Sequence, residues 1–150
     1  MIKTNIYNHS NKAKEEEKKA VTGFLAEHLE QYGDKQEDIA KAFDYALQEQ
    51  NTPGGFVVTA HADGDVMAAA AIVNKTGMKG YIPENILVYI ATHKDHRGKG
   101  IANKVMDLIV ELADGDIALH VEPDNPAVNL YKKFGFTNKY LEMRLLKPKA

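Results

Sequence analysis

The sequence predicts an α+β domain with a mixed sheet, and three observations support this fold class. Two strand-like runs, residues 56–62 and 66–73, flank Asp63-Gly-Asp65, and an Asp-Gly turn between such runs is a strong hairpin signal. A strand–helix–strand order follows in residues 86–121. Two helices precede the hairpin. Because antiparallel strands come first and the crossover unit comes later, the pattern is not that of a Rossmann fold.

The elements of the first half follow from apolar spacing. Residues 2–7 alternate and predict a short first strand, and the charged run 11–19 is typical of a solvated helix face. Two amphipathic helices come next, one ending at Gly33 and one covering about residues 36–50. Their apolar positions recur at helical spacing: Val21, Phe24, Leu25, His28, Leu29 and Tyr32 in the first, and Ile39, Phe43, Ala46 and Leu47 in the second.

The second half contains the crossover and a closing segment. A strand at residues 86–92 leads through a polar loop into a helix of about residues 99–113, and a strand at 117–121 follows. A helix is predicted at 127–134, ended by Gly135, and a closing strand region at 136–146. On the crossover helix the apolar face is Ile101, Val105, Leu108, Ile109 and Leu112.

Composition limits the classes of function. A chain of 150 residues fits one domain, residues 1–150. The net charge of −2 argues against general nucleic-acid binding, and the absence of cysteine excludes disulfides and thiolate chemistry. No apolar run is long enough to span a bilayer, and the start has no signal-peptide pattern. We therefore expect a cytoplasmic protein that binds neither membrane nor nucleic acid.

The most informative segment is the loop Arg97-Gly98-Lys99-Gly100, which lies between a strand and a helix. A glycine-rich loop that opens a helix presents free N–H groups and the positive end of the helix dipole to an anion. Arg97 and Lys99 add positive charge. A Walker A loop requires Ser or Thr after the lysine, where this chain has Gly100, and a dinucleotide loop requires a third glycine, where it has Asn103.

Two motifs carry a resemblance to a known family. Arg97, Gly100 and Ala102 match the pattern Arg/Gln-x-x-Gly-x-Gly/Ala, and residues 125–136 match Asn-x-x-Ala-x-x-Leu-Tyr-x-x-x-Gly-Phe. At this spacing the chain resembles the GNAT superfamily of acetyl-coenzyme A-dependent N-acetyltransferases, over about residues 56–146. The resemblance implies the GNAT fold: a central, mostly antiparallel sheet with a splayed parallel pair, flanked by about four helices.

The resemblance also implies where the co-substrate acetyl-coenzyme A binds. Backbone groups of Ile90, Ala91 and Thr92 would pair with the pantetheine arm, which enters at the splay. Asn125 would bond the arm or cap its own helix. The pyrophosphate would be held by the amides of the glycine loop and the first helical residues, which are Arg97, Gly98, Lys99, Gly100, Ile101 and Ala102.

The resemblance implies that Tyr131 protonates the departing thiolate. An ordinary tyrosine pKa near 10 is compatible with donation to a thiolate. For the base, which accepts the proton of the amine, the candidates are His120 and Glu84, with Glu122 and Tyr81 as further ones. His61, His93 and His96 could suggest a metal, and His93 and His96 lie three residues apart with Asp95 between them. No third ligand is predictable, so no metal is expected.

The expected activity is transfer of acetyl from acetyl-coenzyme A to a primary amine by direct attack in a ternary complex. The acceptor is a small molecule or a peptide, and the protein is a monomer or a homodimer. A coenzyme A-binding sensor or assembly module without catalysis stays open as an alternative. So does a nucleotide-binding protein that uses the Gly98-Lys99-Gly100 loop.

Overall fold

The computed structural model describes residues 1–149, which form a mixed sheet with helices on both of its faces. The order of the elements agrees with the predicted order as far as the last helix. The five strands are β1 (Lys3–Tyr7), β2 (Gly55–Ala62), β3 (Val66–Lys75), β4 (Asn85–Thr92) and β5 (Ile117–Leu119). The four α-helices are α1 (Glu15–His28), α2 (Gln36–Ala46), α3 (Ile101–Leu112) and α4 (Ala127–Lys133).

The strands lie in the order β1-β2-β3-β4-β5. The first four are antiparallel to their neighbours, and β4 and β5 are parallel. This confirms the mixed sheet. The β2–β3 hairpin turns where the Asp-Gly pattern predicts it, with Ala62 opposite Val66. Gly64 and Asp65 adopt φ angles of +78° and +59°, in the left-handed region that glycine and aspartate tolerate best.

One face of the sheet packs against α1 and α2. The buried cluster on this face joins apolar residues of both helices to alternate residues of the strands, including Val57, Ile72 and Ala91. Helix α3 packs against β2, β3 and β4 with residues outside that cluster, namely Ile101, Val105, Met106 and Ile109. Strand β3 is buried on both faces over Ala68–Val73. The sheet therefore lies between a layer formed by α1 and α2 and a layer formed by α3.

The parallel pair opens soon after it forms. Asn85, Ile86 and Leu87 lie opposite Ile117, Ala118 and Leu119, and the pairing ends there. Strand β4 continues for five more residues to Thr92, and along these no strand of residues 1–149 pairs with its outer edge. A β-bulge at Val88 marks the same point, because Ile72 lies opposite Tyr89 whereas Val73 lies opposite Leu87. The structure thus contains the splayed parallel pair.

The start of this pair depends on Asn85, which is 1% exposed. Its Nδ2 atom donates hydrogen bonds to the carbonyl oxygens of Asp114 and Asp116, at 2.9 and 3.2 Å. The backbone N–H of Asn85 also donates to Asp116, at 3.0 Å. One buried amide side chain therefore fixes the turn that brings β5 alongside β4.

Several predicted boundaries are corrected by the structure. Helix α2 ends at Ala46 and not near residue 50, α3 begins at Ile101 and not at 99, and β5 stops at Leu119 and not at 121. Leu112, predicted on the apolar face of α3, is 39% exposed.

The predicted closing strand at residues 136–146 is wrong, because these residues form no regular secondary structure. The alternation of apolar residues there favours a strand, but a strand also needs a partner edge to satisfy its backbone groups. In this segment the large apolar side chains are instead exposed: Tyr140, Leu141, Met143, Leu145 and Leu146.

The chain divides into two compact units, Met1–Leu119 and a second unit that begins at His120. The assignment of residues 1–150 to a single domain stays a prediction. Within residues 1–149, none of the helices has the length and apolar character required to cross a membrane.

Replacing Asn85 should destabilise the fold, because Asn85→Ala removes two buried hydrogen bonds and leaves carbonyl groups without partners. We expect the free energy of unfolding to fall by about 1–3 kcal/mol, measured by urea denaturation. Asn129→Ala, at an exposed position of α4, is the matched control and should cause no loss. Equal stability of Asn85→Ala and the wild type would contradict this role of Asn85.

Candidate active site at the end of the central strand

The glycine loop lies directly beyond the open edge of β4. The strand ends at Thr92, and a three-residue 3-10 turn, Lys94–His96, leads into the loop. Gly98 and Gly100 both have φ of +78°, a backbone conformation that other residues adopt only with strain. A Cβ atom built at either position would meet nothing within 4 Å. The loop therefore keeps an open approach to its backbone.

The first turn of α3 is available to an anion. Its N-cap residue is Gly100, which has no side chain that could cap the helix, and the first helical bond joins the Lys104 N–H to the Gly100 carbonyl at 3.2 Å. The amides of Ile101, Ala102 and Asn103 precede that bond, as the first N–H groups of a helix do. This terminus, in an open loop, is suited to phosphate oxygens. The predicted pyrophosphate residues thus lie together in one loop and helix turn.

The guanidinium of Arg97 contacts the protein itself. Its Nε atom donates to the carbonyl of Thr92 at 3.2 Å, and its Nη2 atom donates to the carbonyl of His28 at 3.1 Å. Its Nη1 atom lies 3.3 Å from a carboxylate oxygen of Glu30. Arg97 therefore connects the end of α1 to the end of β4, and its charge is partly balanced by Glu30. Lys99 is exposed.

A surface cavity of about 370 Å³ adjoins Lys99 on the side of the β2–β3 turn. It lies within the first unit of the chain, and the ion pair between the Met1 amino group and Asp63, at 3.1 Å, lies at its border. Its lining residues are Met1, Ile2, Ala62, Asp63, His96, Lys99 and Ile101. The cavity is open to solvent, and the exposed side chain of Lys99 lies at its wall.

Three histidine rings that precede the glycine loop in sequence lie in contact with one another. The ring centroids of His28 and His93 are 4.3 Å apart, and those of His93 and His96 are 5.4 Å apart. Phe24 extends the stack at 4.6 Å from His28. The His28 side chain is only 5% exposed, and burial, followed by the nearby His93, lowers its pKa below the usual value. His28 is thus a neutral packing residue that supports the loop.

The histidines do not form a metal site. Among residues 1–149, no group of three or more His, Asp or Glu side chains is placed to hold a metal ion. His93 instead uses its Nδ1 atom to accept a hydrogen bond from the backbone N–H of Asp95, at 3.0 Å. This bond fixes the 3-10 turn that precedes the glycine loop.

Along the open part of β4, Ala91 is buried, and Ile90 and Thr92 are half-buried. The Tyr89 side chain packs against the α1–α2 cluster. Its hydroxyl donates a hydrogen bond of 2.5 Å to Asp34, in the segment that joins α1 to α2. Burial, followed by this bond, raises the pKa of Tyr89 well above its usual value. Tyr89 and Asp34 are not among the site residues that the sequence predicts, and the sequence offers no signal for them beyond a tyrosine on the central strand.

Glu84 has a structural contact in the first unit. Its Oε1 atom accepts a hydrogen bond from the backbone N–H of Asp116 at 3.0 Å, and this bond lowers the pKa of the carboxyl group. A carboxylate held in this way is a weaker proton acceptor. The contacts of Glu84 therefore favour a role in fixing the turn before β5.

Tyr131, Asn125 and His120 belong to the second unit. Tyr131 is buried on α4, where burial raises its pKa to about 12, and its ring meets Phe136 edge-on at 5.9 Å between centroids. The Asn125 Oδ1 atom accepts a hydrogen bond from the backbone N–H of Ala127 at 2.9 Å, one residue before the N-cap residue Pro126, and its two predicted roles stay predictions. His120 is exposed. The predicted roles of Tyr131 and His120 stay predictions.

A family model decides the classification. The model of the acetyltransferase (GNAT) family matches residues 15–136, which is more than half of the chain. The protein belongs to the GNAT family. The resemblance carried by the two motifs is thereby confirmed, and membership indicates acetyl transfer as the general activity. No curated protein sequence matches the chain.

Several solved structures share this fold. The aminoglycoside N-acetyltransferase AAC(6')-Iy, in complex with CoA, has a TM-score of 0.69 at 15% identity, with 98% of this chain and 95% of that chain covered. The ribosomal-protein-alanine N-acetyltransferase of Brucella melitensis biovar Abortus 2308 has a TM-score of 0.62 at 17% identity, with 99% and 100% covered. An integron cassette protein of V. cholerae has a TM-score of 0.67 at 16% identity, with 97% of this chain and 93% of that chain covered. At these identities the likeness concerns the fold alone.

Acid should destabilise this GNAT protein partly through His28. Because the folded-state pKa of His28 lies below its unfolded value near 6.5, the unfolded chain binds the proton more readily, and stability falls as the pH drops through about 6.5. His28→Phe keeps an aromatic ring and removes the titration, so it should lose less stability between about pH 7.5 and about pH 5 in urea unfolding. His9→Phe, at an exposed position, is the control and should keep the full acid loss. An unchanged acid loss in His28→Phe would contradict this assignment.

Proposed function

We propose that the protein is an acetyl-coenzyme A-dependent N-acetyltransferase that acts on a primary amine in a ternary complex. The observation that carries this proposal is the course of β4. Its outer edge is unpaired from Val88 to Thr92, and the strand then leads into a glycine loop at the N-terminus of α3. An extended arm with a pyrophosphate at one end matches such a strand edge followed by an anion site.

The residues of this segment fit the donor substrate. Backbone groups of Ile90 and Ala91 would pair with the pantetheine arm as a neighbouring strand does, whereas the Thr92 carbonyl already accepts a bond from Arg97. The pyrophosphate would lie against the amides of Arg97–Ala102, since both loop glycines leave space for close approach. Lys99 would add charge from solvent. The donor supplies an acetyl thioester, which is reactive towards neutral amines.

In the proposed reaction the acceptor nitrogen forms a bond to the thioester carbonyl carbon, and the carbon–sulfur bond breaks. A backbone N–H near Ile90–Thr92 would stabilise the negative charge that develops on the carbonyl oxygen. The departing thiolate would take a proton from the Tyr131 hydroxyl. The raised pKa of Tyr131 supports this role, since it keeps the phenol protonated at neutral pH. The amine must also lose a proton, for which His120 and Glu84 are the proposed bases.

Of these two residues, His120 is the better candidate for the base. Its side chain is exposed, and a neutral imidazole has one ring nitrogen that can accept a proton. The carboxylate of Glu84 is held by Asp116 and has a lowered pKa, which makes it less basic.

The acceptor is proposed to be a small molecule or a peptide with a primary amine. Among the structural neighbours, one is named for aminoglycosides and another for a ribosomal-protein alanine, so the shared fold serves acceptors of very different size. We further propose a cytoplasmic monomer or homodimer that acts without nucleic acid or a metal ion.

A negatively charged side chain at Gly100 should strongly weaken the binding of acetyl-coenzyme A. Gly100→Glu places a carboxylate at the pyrophosphate position, so titration calorimetry with acetyl-coenzyme A should show at least a 100-fold weaker affinity, a loss of about 2.7 kcal/mol. Gly64→Glu is the matched control, because Gly64 has the same φ of +78° and equally open space. It should bind as the wild type does. Wild-type affinity in Gly100→Glu, or no binding by the wild type, would refute the proposed donor site.

Removing the Tyr131 hydroxyl should slow the chemical step. Tyr131→Phe should lower kcat by about 10²- to 10⁴-fold, the usual contribution of a general acid, with little change in KM for acetyl-coenzyme A. Turnover is followed as free thiol released in the presence of an amine panel. Tyr140→Phe, an exposed tyrosine of the same unit, should be unaffected. Thiol release at the wild-type rate would remove Tyr131 from this role, and its absence in the wild type would favour a binding module.

A further inference from the structure

The Tyr89–Asp34 pair is a titratable contact on the open part of β4 that the proposed mechanism does not use. The Tyr89 hydroxyl donates to the Oδ2 atom of Asp34 at 2.5 Å, across 55 positions of sequence. Asp34 is exposed, and Tyr89 is half-buried against α1 and α2. The ring is therefore fixed by packing, and its hydroxyl reaches the exposed carboxylate of Asp34.

The location of Tyr89 connects this pair to the reaction. Tyr89 follows the bulge at Val88 and precedes Ile90, so it lies where β4 has left β5 and where the thioester is expected. The segment between α1 and α2 carries Asp34. It is also attached to the end of β4 through Arg97, which contacts the His28 carbonyl and Glu30. Two contacts thus keep the α1–α2 connection beside the open edge.

The chemistry of the pair suits transfer of a proton. A phenol oxygen can accept a hydrogen bond with its lone pairs while its O–H donates to a carboxylate. An acceptor that arrives as an ammonium ion must lose one proton before or during attack. Glu84, one proposed base, already accepts a bond from Asp116. In the Tyr89–Asp34 pair the carboxylate is exposed to solvent, and one hydrogen bond connects it to the tyrosine of the strand.

We propose that Tyr89 relays the proton of the acceptor amine to Asp34. In this step the amine proton passes to Oη of Tyr89 as the Tyr89 proton passes to Oδ2 of Asp34. The tyrosine stays neutral overall, the carboxylate becomes a carboxylic acid, and the nitrogen lone pair is freed for attack. Asp34 later returns the proton to solvent. This inference rests on the proposed acetyltransferase function. The relay takes the first proton of an ammonium acceptor, and the second proton, lost from the nitrogen after attack, goes to the proposed base, His120 or Glu84.

The surroundings of Tyr89 require that both protons move together. Burial and the negative charges of Asp34 and Asp38 raise the pKa of Tyr89, so a phenolate does not accumulate on it. Asp38 is itself paired with Lys41 at 3.2 Å, which leaves Asp34 as the carboxylate that contacts the hydroxyl. Tyr89 alone could not serve as the base, whereas Tyr89 together with Asp34 can.

The relay is tested with Tyr89→Phe and Asp34→Asn. The wild type is first assayed with acetyl-coenzyme A and spermidine, kanamycin or a tripeptide with a free N-terminus, and the best acceptor is kept. At about pH 7 both variants should lose at least 10-fold in kcat, with acetyl-coenzyme A affinity unchanged by calorimetry. As the pH approaches the pKa of the acceptor, near 8 for an α-amine and near 10.4 for a lysine-type amine, the deficit should shrink, because free amine then forms without the relay.

Two control variants separate the relay from structural effects. Tyr45→Phe removes a comparable hydroxyl bond, from Tyr45 to the Lys75 carbonyl at 2.7 Å, and Asp38→Asn removes a neighbouring charge. Both should keep wild-type kcat. Since Asp34 is exposed, Asp34→Asn should fold even if Tyr89→Phe does not.

Several results would overturn the relay. They are wild-type kcat in either variant, a deficit that stays constant as the pH rises from about 6.5 to the pKa of the acceptor used, or an equal loss in the two control variants. These results leave the acetyltransferase proposal intact. If the wild type bound no acetyl-coenzyme A and acetylated none of the amines, the proposed function itself would fail, and the relay with it.

Discussion

The arrangement of the site depends on one constraint, which is that β4 pairs with β5 over only three residues. Asn85 fixes the start of this pairing through the turn at Asp114 and Asp116, and the pairing ends at Leu87. The other edge of β4 stays bonded to β3 as far as Thr92. The strand is therefore rigid on one side and has free backbone groups on the other. In the proposed donor complex the pantetheine arm would complete the sheet there with little rearrangement of the protein.

The helical layer holds the free strand in place from one side. Helices α1 and α2 bury Ala91 and pack against Tyr89, and Arg97 joins the end of α1 to the end of β4. The arginine of the motif thus makes internal hydrogen bonds that connect α1 to β4, and Glu30 partly balances its charge. Because the same segment carries Asp34, the contacts that order the donor strand also position the group proposed to accept a proton.

Much of the fold was predictable because its signals are local. The hairpin at Asp63–Asp65, the faces of α1 and α2, and the glycine loop each lie within a few residues of one another. The Tyr89–Asp34 bond joins residues 55 positions apart, so no sequence spacing could reveal it. The closing strand at 136–146 failed for a related reason. Apolar alternation indicates which side chains a sheet would bury, but it does not supply the neighbouring strand.

The candidate site divides in the same way between backbone and side chains. The donor region uses backbone amides, a strand edge and two left-handed glycines, and glycine at such positions leaves a recognisable pattern in the sequence. The proposed proton acceptors are side chains, whose roles depend on what they contact. Glu84 illustrates this, because the sequence favours it as a base, whereas the bond from Asp116 and the lowered pKa oppose that role. Proton-accepting side chains that depend on such contacts can therefore be identified only from the folded structure.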